Sequence, residues 1–403
     1  MRVLYVLEQP LRRVEPFVRR EILEAARQGL EIEVLSPCSG TREAGEASRP
    51  EACYIAETAG ESARPRSLRP PGAAEALAMA LSLSPAGTLR ALRHARGSGW
   101  GLGSGFRQAV ALGSEARKFG ANVIHAHFAA RACEDAMLAS WISEVPFTFT
   151  AHGYDVHFEP PPDYPARAAA AGAVVTVSEW NARALSESRG VPRGKIHVIP
   201  CGVDTRRFAP APDEPDGGAR EGLVVSVIRL HRDKGPDILL DAAAELLASG
   251  VDFRMEILGD GPERSVLQAR LDGPLGSRVR LLGEATEEEV LAALRRASVF
   301  ALPSRTESLG VALMEAMSCE RAVVAADVGG VPEVLDGGRC GLLVPPGDAG
   351  PLAGAIRDLL RDPARRRTLG KAARERVIQR FRLEDSVAAL RALWSGAAWA
   401  VDR

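Results

Sequence analysis

Glu307 and Glu315 stand eight residues apart in the stretch RTESLGVALMEAM, residues 305–317. A strand-like run, SVFALP (298–303), precedes them, and an apolar helical run begins near Leu309. Ligands of parallel α/β sheets gather outside the carboxyl ends of strands. A helix start adds unpaired N–H groups and the positive end of the dipole, which together suit an anion. Gly310 lets a ligand come close to the backbone. From Leu309 to Glu315 a helix covers about 9 Å at about 1.5 Å per residue. The layout fits one elongated ligand, with a polyol at Glu307, a phosphate at the helix start and a ribose near Glu315. The plainer alternative makes Glu307 a helix cap and Glu315 a solvated residue. Val311, Ala312, Leu313, Met314, Ala316 and Met317 surround Glu315 and make a solvated face less comfortable.

IRLHRDKG, residues 228–235, supplies the complementary charge. Arg229 follows the strand-like run LVVSVI (223–228), and Lys234 comes five residues later. Two cations beside a helix start are what a departing diphosphate needs as its charge grows. A basic loop alone is weak evidence, because most are simply solvated; beside residues 305–317 it becomes specific.

The elements that must hold these residues are legible from periodicity. RVLYVL (2–7), IEVLSP (32–37), NVIHAHF (122–128), PFTFTAH (146–152), AVVTVS (173–178) and KIHVIP (195–200) read as strands. Helical patterns lie between them at 16–30, near 131–143 and at 178–188, the last with Ser178 as N-cap. Residues 209–222 are rich in Pro, Gly and acid and read as a linker. A second series follows, with strands at 223–228, 253–259, 278–283, 298–303, 322–327 and 341–345 and helices at 237–249, 262–271, 286–296 and 309–318. Alternation of this kind predicts an α/β protein of two doubly wound domains with mostly parallel sheets. His125 and His127 fall on one face of one strand, with His127 at its carboxyl edge.

Composition bounds the class. The 403 residues exceed one compact core. A hydrophobic fraction of 46% and a charged fraction of 26% suit a soluble globular chain. The net charge of −1 gives no argument for nucleic-acid binding. The six cysteines, Cys38, Cys53, Cys133, Cys201, Cys319 and Cys340, form no C-x-x-C pair, which fits a reducing cytoplasm. The N-terminal apolar run is too short for a signal peptide, and no run approaches the roughly 18 apolar residues of a membrane span. Residues 62–118 differ from the rest, with nine Arg or Lys against two acids. They read either as a surface helix pair with a solvated basic face or as a contact with an anionic membrane surface or a phosphate-bearing lipid acceptor.

The pieces IRLHRDKG, LGDGPE (258–263), VRLLG (279–283), LPSRTESLGVALMEAMSC (302–319), VVAADVGGVPEV (323–334) and GLLVPPGD (341–348) resemble the donor-binding half of glycosyltransferase family 4, retaining enzymes of the GT-B fold. EPFVRREILEAARQG (15–29), HAHFA (125–129), PFTFTAHGYDV (146–156), VVTVSEWN (174–181) and KIHVIPCGVDTRRF (195–208) resemble the exopolysaccharide and colanic-acid subgroup of that family. The resemblance covers nearly all of the chain outside 40–118. It implies an acceptor-binding domain over 1–208 with a basic insertion at 40–118, a linker at 209–222, a donor-binding domain over 223–382, and a C-terminal helix within 383–403 that crosses back to the first domain. The two domains are expected to face a cleft.

By position, the resemblance gives Arg229 and Lys234 the donor diphosphate and Glu307 the sugar hydroxyls. Ser308, Leu309, Gly310, Val311 and Gly259 would line the donor, and Glu315 would bind the ribose. His152 would face the donor sugar, or else be a satisfied histidine at a strand end. Asp155, His127, Arg12 and Arg13 would lie on the acceptor side. The donor would be a UDP- or GDP-sugar, a substrate, with no cofactor and no metal, since no D-x-D-like cluster is placed to hold one. The acceptor would be a glycan or lipid-linked molecule. A small polyol, phosphoinositide or sugar phosphate is the alternative acceptor, and a catalytically degenerate scaffold is the alternative of another kind. A cytoplasmic enzyme, peripheral on the inner face of the plasma membrane, is the expected setting.

Three positions depart from the family pattern. EQPLRRVEP (8–16) carries no glycine where many relatives have a Gly-Gly loop. Glu320 stands at the glycine of Met-x-x-Gly, and Ile228 at the glycine before the arginine.

Overall fold

A computed structural model describes residues 1–11, 13–37, 54–58, 66–97, 103–212 and 218–396. Arg12, Arg64, Cys38 and Cys53 lie outside the described residues. The chain forms two compact units, Met1–Ile199 with Val387–Arg403, and Pro200–Ser386.

The first unit is built on eight strands: β1 (Arg2–Val6), β2 (Glu31–Pro37), β3 (Tyr54–Thr58), β4 (Arg66–Leu68), β5 (Val123–His127), β6 (Phe147–Ala151), β7 (Ala173–Thr176) and β8 (Ile196–Val198). Their order is β4-β3-β2-β1-β5-β6-β7-β8. Neighbours pair in parallel except β3, which runs antiparallel to β2 and β4. Every residue of β5, β6 and β7 is buried, as expected for parallel strands covered on both faces.

The basic stretch becomes three helices, Ala73–Leu83, Pro85–Gly97 and Ser104–Phe119. Leu77, Leu81 and Leu89 stay exposed on the first two, at 40%, 41% and 52%. Among the described residues no helix is long and apolar enough to cross a membrane.

The second unit holds β9 (Leu223–Val227), β10 (Arg254–Leu258), β11 (Val279–Gly283), β12 (Val299–Leu302), β13 (Ala322–Ala326) and β14 (Leu342–Val344), all parallel, in the order β11-β10-β9-β12-β13-β14. The division between units falls earlier than the Pro-rich stretch at 209–222. Residues 200–209 belong to the second unit because they are anchored there. Phe208 is fully buried. Ser318 Oγ donates to Phe208 O at 2.5 Å, and Arg295 Nε donates to Ala209 O at 2.8 Å. Burying one phenylalanine stabilises by roughly 1.5–3 kcal/mol, which a free linker would forgo. Near the other end, Val203 N donates to Phe381 O and Leu383 N to Val203 O. The helix Leu383–Ser395 begins at this pairing, and the division falls within it, after Ser386. Trp394, in its last turn, belongs to the first unit and donates from Nε1 to Thr148 Oγ1 at 3.2 Å.

The helix Val311–Ser318 ends in a Schellman turn. Glu320 N donates to Met317 O and Arg321 N to Ala316 O. Glu320 therefore sits at the position that favours glycine, and it adopts φ +61°. A left-handed backbone costs an L-residue roughly 1–2 kcal/mol. Glu320→Gly is expected to raise stability by about 1 kcal/mol, seen as a higher urea midpoint at unchanged slope; an unchanged or lower midpoint would contradict the assignment.

Candidate functional site

In the second unit the strand order reverses between β9 and β12, so the loops after these strands diverge and leave a crevice at their carboxyl ends. The loop after β9 carries Arg229 and Lys234, and the loop after β12 carries Glu307. The two loops are bound to each other. Arg305 N and Thr306 N donate to Asp233 O at 2.7 and 3.3 Å. Arg305 Nη1 and Nη2 donate to the two oxygens of Asp237 at 2.7 and 2.6 Å, and Nη1 also reaches Arg232 O at 2.9 Å. The guanidinium's hydrogen bonds hold the Asp237 carboxyl below its ordinary range.

This clamp brings Lys234 Nζ to 2.9 Å from Glu307 Oε2. Ser304 Oγ donates to the same oxygen at 3.3 Å. Glu307 O accepts from Gly330 N at 3.0 Å, which ties the loop to the turn after β13. Glu307 Oε1 accepts no hydrogen bond among the described residues. An ammonium has three donors, so Lys234 keeps two beyond its bond to Glu307. Arg229 is exposed, and no described residue pairs with its side chain.

The helix behind Glu307 begins at Val311, two residues later than periodicity suggested, because Gly310 turns at φ +89°. Ser308 and Leu309 thus precede the helix, and no side chain caps it. A Cβ on Gly310 would lie 3.5 Å from Glu307 Cγ, so the glycine lies against the acid. Glu315 lies in the helix at 5% exposure, which excludes the solvated alternative.

Gly259 packs against the loop after β9. At φ +125° its Cβ would lie 1.9 Å from Ile228 O, so the missing side chain admits the protein's own loop. Ile228 N donates to Leu258 O, and the Ile228 side chain is buried, so the residue that replaces the family's glycine is accommodated by packing.

The first unit has its own reversal, between β1 and β5. Here the helix Arg131–Ser143 begins at the carboxyl edge, and its start is already occupied. Glu8 Oε1 accepts from Arg131 N at 2.7 Å and Ala132 N at 3.2 Å. The glycine-free loop after β1 therefore meets the helix dipole with its own carboxylate.

His127 and His152 end β5 and follow β6, with His127 Nδ1 3.1 Å from His152 Nε2. Both are buried, as is His125, whose nitrogens lie 2.7 and 3.1 Å from the hydroxyls of Thr148 and Thr150. Burial, with the neighbouring His127 adding to it, holds His152 well below the ordinary histidine range.

Asp155 is turned into the protein. It is 1% exposed; Oδ2 accepts from Ala129 N at 2.7 Å and Oδ1 from His152 N at 2.8 Å. Burial pushes its carboxyl up to about 7 despite these bonds. Asp155 therefore joins the ends of β5 and β6 and positions His152. Arg13 is exposed, with its backbone N–H on Pro10 O.

Two groups have metal-ligand side chains within 4.8 Å of one another, Glu21 with His125 and His127, and His94 with Glu134 and Asp163. Each is already engaged, the first through the threonine hydroxyls, the second by Arg167, which reaches Asp163 at 2.7 Å and Glu134 at 3.3 Å. Sequence reasoning missed Glu8, Glu21, Ser304 and the Arg305–Asp237 pair. Ser304 and Arg305 lay within 302–319, Glu8 within 8–16 and Glu21 within 15–29, but nothing in those stretches marks the distant partner of each.

Comparison with known proteins agrees with this geometry. The family model for glycosyl transferases group 1 matches residues 214–376, and that for glycosyltransferase family 4 matches residues 14–207. The chain is 32% identical over 289 residues to alpha-maltose-1-phosphate synthase of Mycolicibacterium smegmatis, covering 60% of this chain and 71% of that protein. It is 34% identical to the GDP-mannose-dependent alpha-(1-6)-phosphatidylinositol monomannoside mannosyltransferase of the same organism, covering 56% of this chain and 63% of that protein. It is 37% identical to the putative colanic acid biosynthesis glycosyltransferase WcaL of Salmonella typhimurium, covering 48% and 50%.

The chain spans about half the length of most of the curated relatives it matches. The crystal structure of Anabaena Alr3699/HepE in complex with UDP superposes with a TM-score of 0.69 at 19% identity, covering 98% of this chain and all of that one. That likeness shows the two-domain α/β fold of the GT-B class. The chain belongs to the family 4 glycosyltransferases.

Proposed function

We propose that the chain is a retaining glycosyltransferase that moves a hexosyl unit from a nucleoside-diphosphate sugar, UDP- or GDP-linked, to a hydroxyl of a glycan or lipid-linked acceptor in cell-surface polysaccharide assembly. The observation that carries this reading is the Lys234–Glu307 pair, held at the strand reversal of the second unit beside an uncapped helix start. The names of its relatives support the acceptor class, one acting on a phosphatidylinositol mannoside and another assigned to colanic acid.

On this reading Glu307 Oε1 accepts from a hydroxyl of the donor sugar. Arg229, Lys234 and the backbone N–H groups from Ser308 to Val311 take the diphosphate, and Glu315 takes the ribose. The acceptor hydroxyl attacks the anomeric carbon on the face from which the diphosphate leaves. The C–O bond to phosphate breaks with its electron pair on the leaving oxygen, and the hydroxyl proton follows to that phosphate. Fixed cations and N–H groups that meet charge as it develops are the main source of acceleration. The donor is a substrate, and the scheme invokes no cofactor.

The helices Ala73–Leu83 and Pro85–Gly97 are assigned to an anionic lipid surface, because exposed Leu77, Leu81 and Leu89 accompany exposed Arg90 and Arg93.

Glu307→Gln is expected to lower turnover of UDP-glucose or GDP-mannose at least about hundredfold, with circular dichroism and urea midpoint unchanged. Normal turnover would remove Glu307 from the site. The surface assignment is checked by sedimentation with phosphatidylglycerol vesicles: binding at low salt that weakens as salt rises is expected, and no binding at low salt would refute it.

A further inference from the structure

A carboxylate and three rings form a line through the first unit. Tyr5 OH donates to Glu21 Oε1 at 3.1 Å. His127 Nε2 lies 3.1 Å from that same oxygen, and His127 Nδ1 lies 3.1 Å from His152 Nε2. The Tyr5 and His127 rings are 9° from parallel with centroids 5.9 Å apart, and those of His127 and His152 are 19° from parallel at 5.4 Å. The two histidines are 2% and 6% exposed.

The placement of hydrogens along this line follows from its acid end. An oxygen that accepts the tyrosine hydroxyl is an acceptor toward the imidazole as well, so His127 Nε2 carries the hydrogen. When the His127 ring carries that hydrogen alone, its Nδ1 has a lone pair and accepts from His152 Nε2–H. Neutral His152 in turn has its lone pair at Nδ1, and no described residue bonds that atom. Phe128 and Phe17 wall the ring, with centroids 4.5 and 5.1 Å away. Phe128 holds φ +65°, a genuine outlier for so bulky a residue, at a cost on the order of 1–3 kcal/mol. Its N–H donates to Thr150 O at 2.8 Å, which keeps it there.

We propose that Glu21 is a positioning residue which, through His127, fixes His152 as the Nε2–H tautomer and so presents Nδ1 as a hydrogen-bond acceptor to a sugar hydroxyl. The ligand class rests on the glycosyl-transfer reading above; the tautomer does not. Without an acceptor at position 21, His127 is released to donate from Nδ1 to His152 Nε2, and His152 Nδ1 then carries the hydrogen. A site built to accept from a hydroxyl would lose its orientation toward that group. Burial keeps His152 uncharged at neutral pH.

The test is imidazole 15N NMR on the full chain labelled at histidine, paired with turnover of UDP-glucose and GDP-mannose. In the unmodified chain His152 Nδ1 is expected at the position of an unprotonated nitrogen. Glu21→Leu is expected to mix the tautomers and to lower kcat about tenfold, the worth of one hydrogen bond, with KM nearly constant. Glu21→Gln keeps an acceptor oxygen and is expected to restore both. A protonated Nδ1 in the unmodified chain overturns the proposal even if the leucine variant does not fold, and so does an unchanged tautomer in a folded Glu21→Leu chain. A chain that turns over neither donor yet shows the expected tautomer overturns the glycosyl-transfer reading and leaves the positioning role of Glu21 standing.

Discussion

The fork between Arg305 and Asp237 is the interaction on which the candidate site of the second unit depends. Lys234 and Glu307 belong to loops that leave different strands, 73 residues apart in sequence. Nothing local obliges them to meet. The guanidinium, anchored in one loop, takes both oxygens of Asp237 and the carbonyl of Arg232 from the other. The planar geometry of a bidentate pair fixes direction as well as distance. Lys234 and Glu307 then face each other with spare donors and a spare acceptor. The glycines around them serve the same end. Gly235 turns at φ +65° with its Cβ position 2.4 Å from Pro303 O, so only glycine lets the two loops lie this close.

Both units reverse strand order at one point, yet the two reversals differ in electrostatics. In the second unit the helix Val311–Ser318 starts without a side-chain cap and has cations in the adjoining loop. In the first unit Glu8 fills the start of the helix Arg131–Ser143. An anion is therefore favoured at one edge and opposed at the other. The first unit instead offers buried imidazoles, with His152 held uncharged by burial, which suit hydroxyls better than phosphates.

Much of this was legible in the sequence, for a physical reason. Buried parallel strands read as short apolar runs, and helices between them as 3.6-residue patterns, so β1, β2 and β5–β14 stood out. The candidate residues around them could be singled out because they lie in short windows: Glu307, Gly310 and Glu315 in one, Arg229 and Lys234 in another. What escaped was long-range pairing. Glu21 meets His127 across 106 residues, and Glu8 meets Arg131 across 123. No local period marks such pairs. The resemblance put Asp155 on the acceptor side by position alone, and position does not reveal that its oxygens accept from the backbone N–H groups of Ala129 and His152. Pro and Gly at 209–222 read as a linker, whereas the second unit already begins at Pro200 and buries Phe208.

The most direct test of the account is calorimetric titration of UDP, GDP and ADP into the purified chain and into Lys234→Ala. The account predicts that one nucleoside diphosphate binds and that Lys234→Ala weakens it by about tenfold or more, the worth of a charge-assisted hydrogen bond. Equal binding by both chains, or binding of none of the three, would contradict a diphosphate site at the β9–β12 reversal.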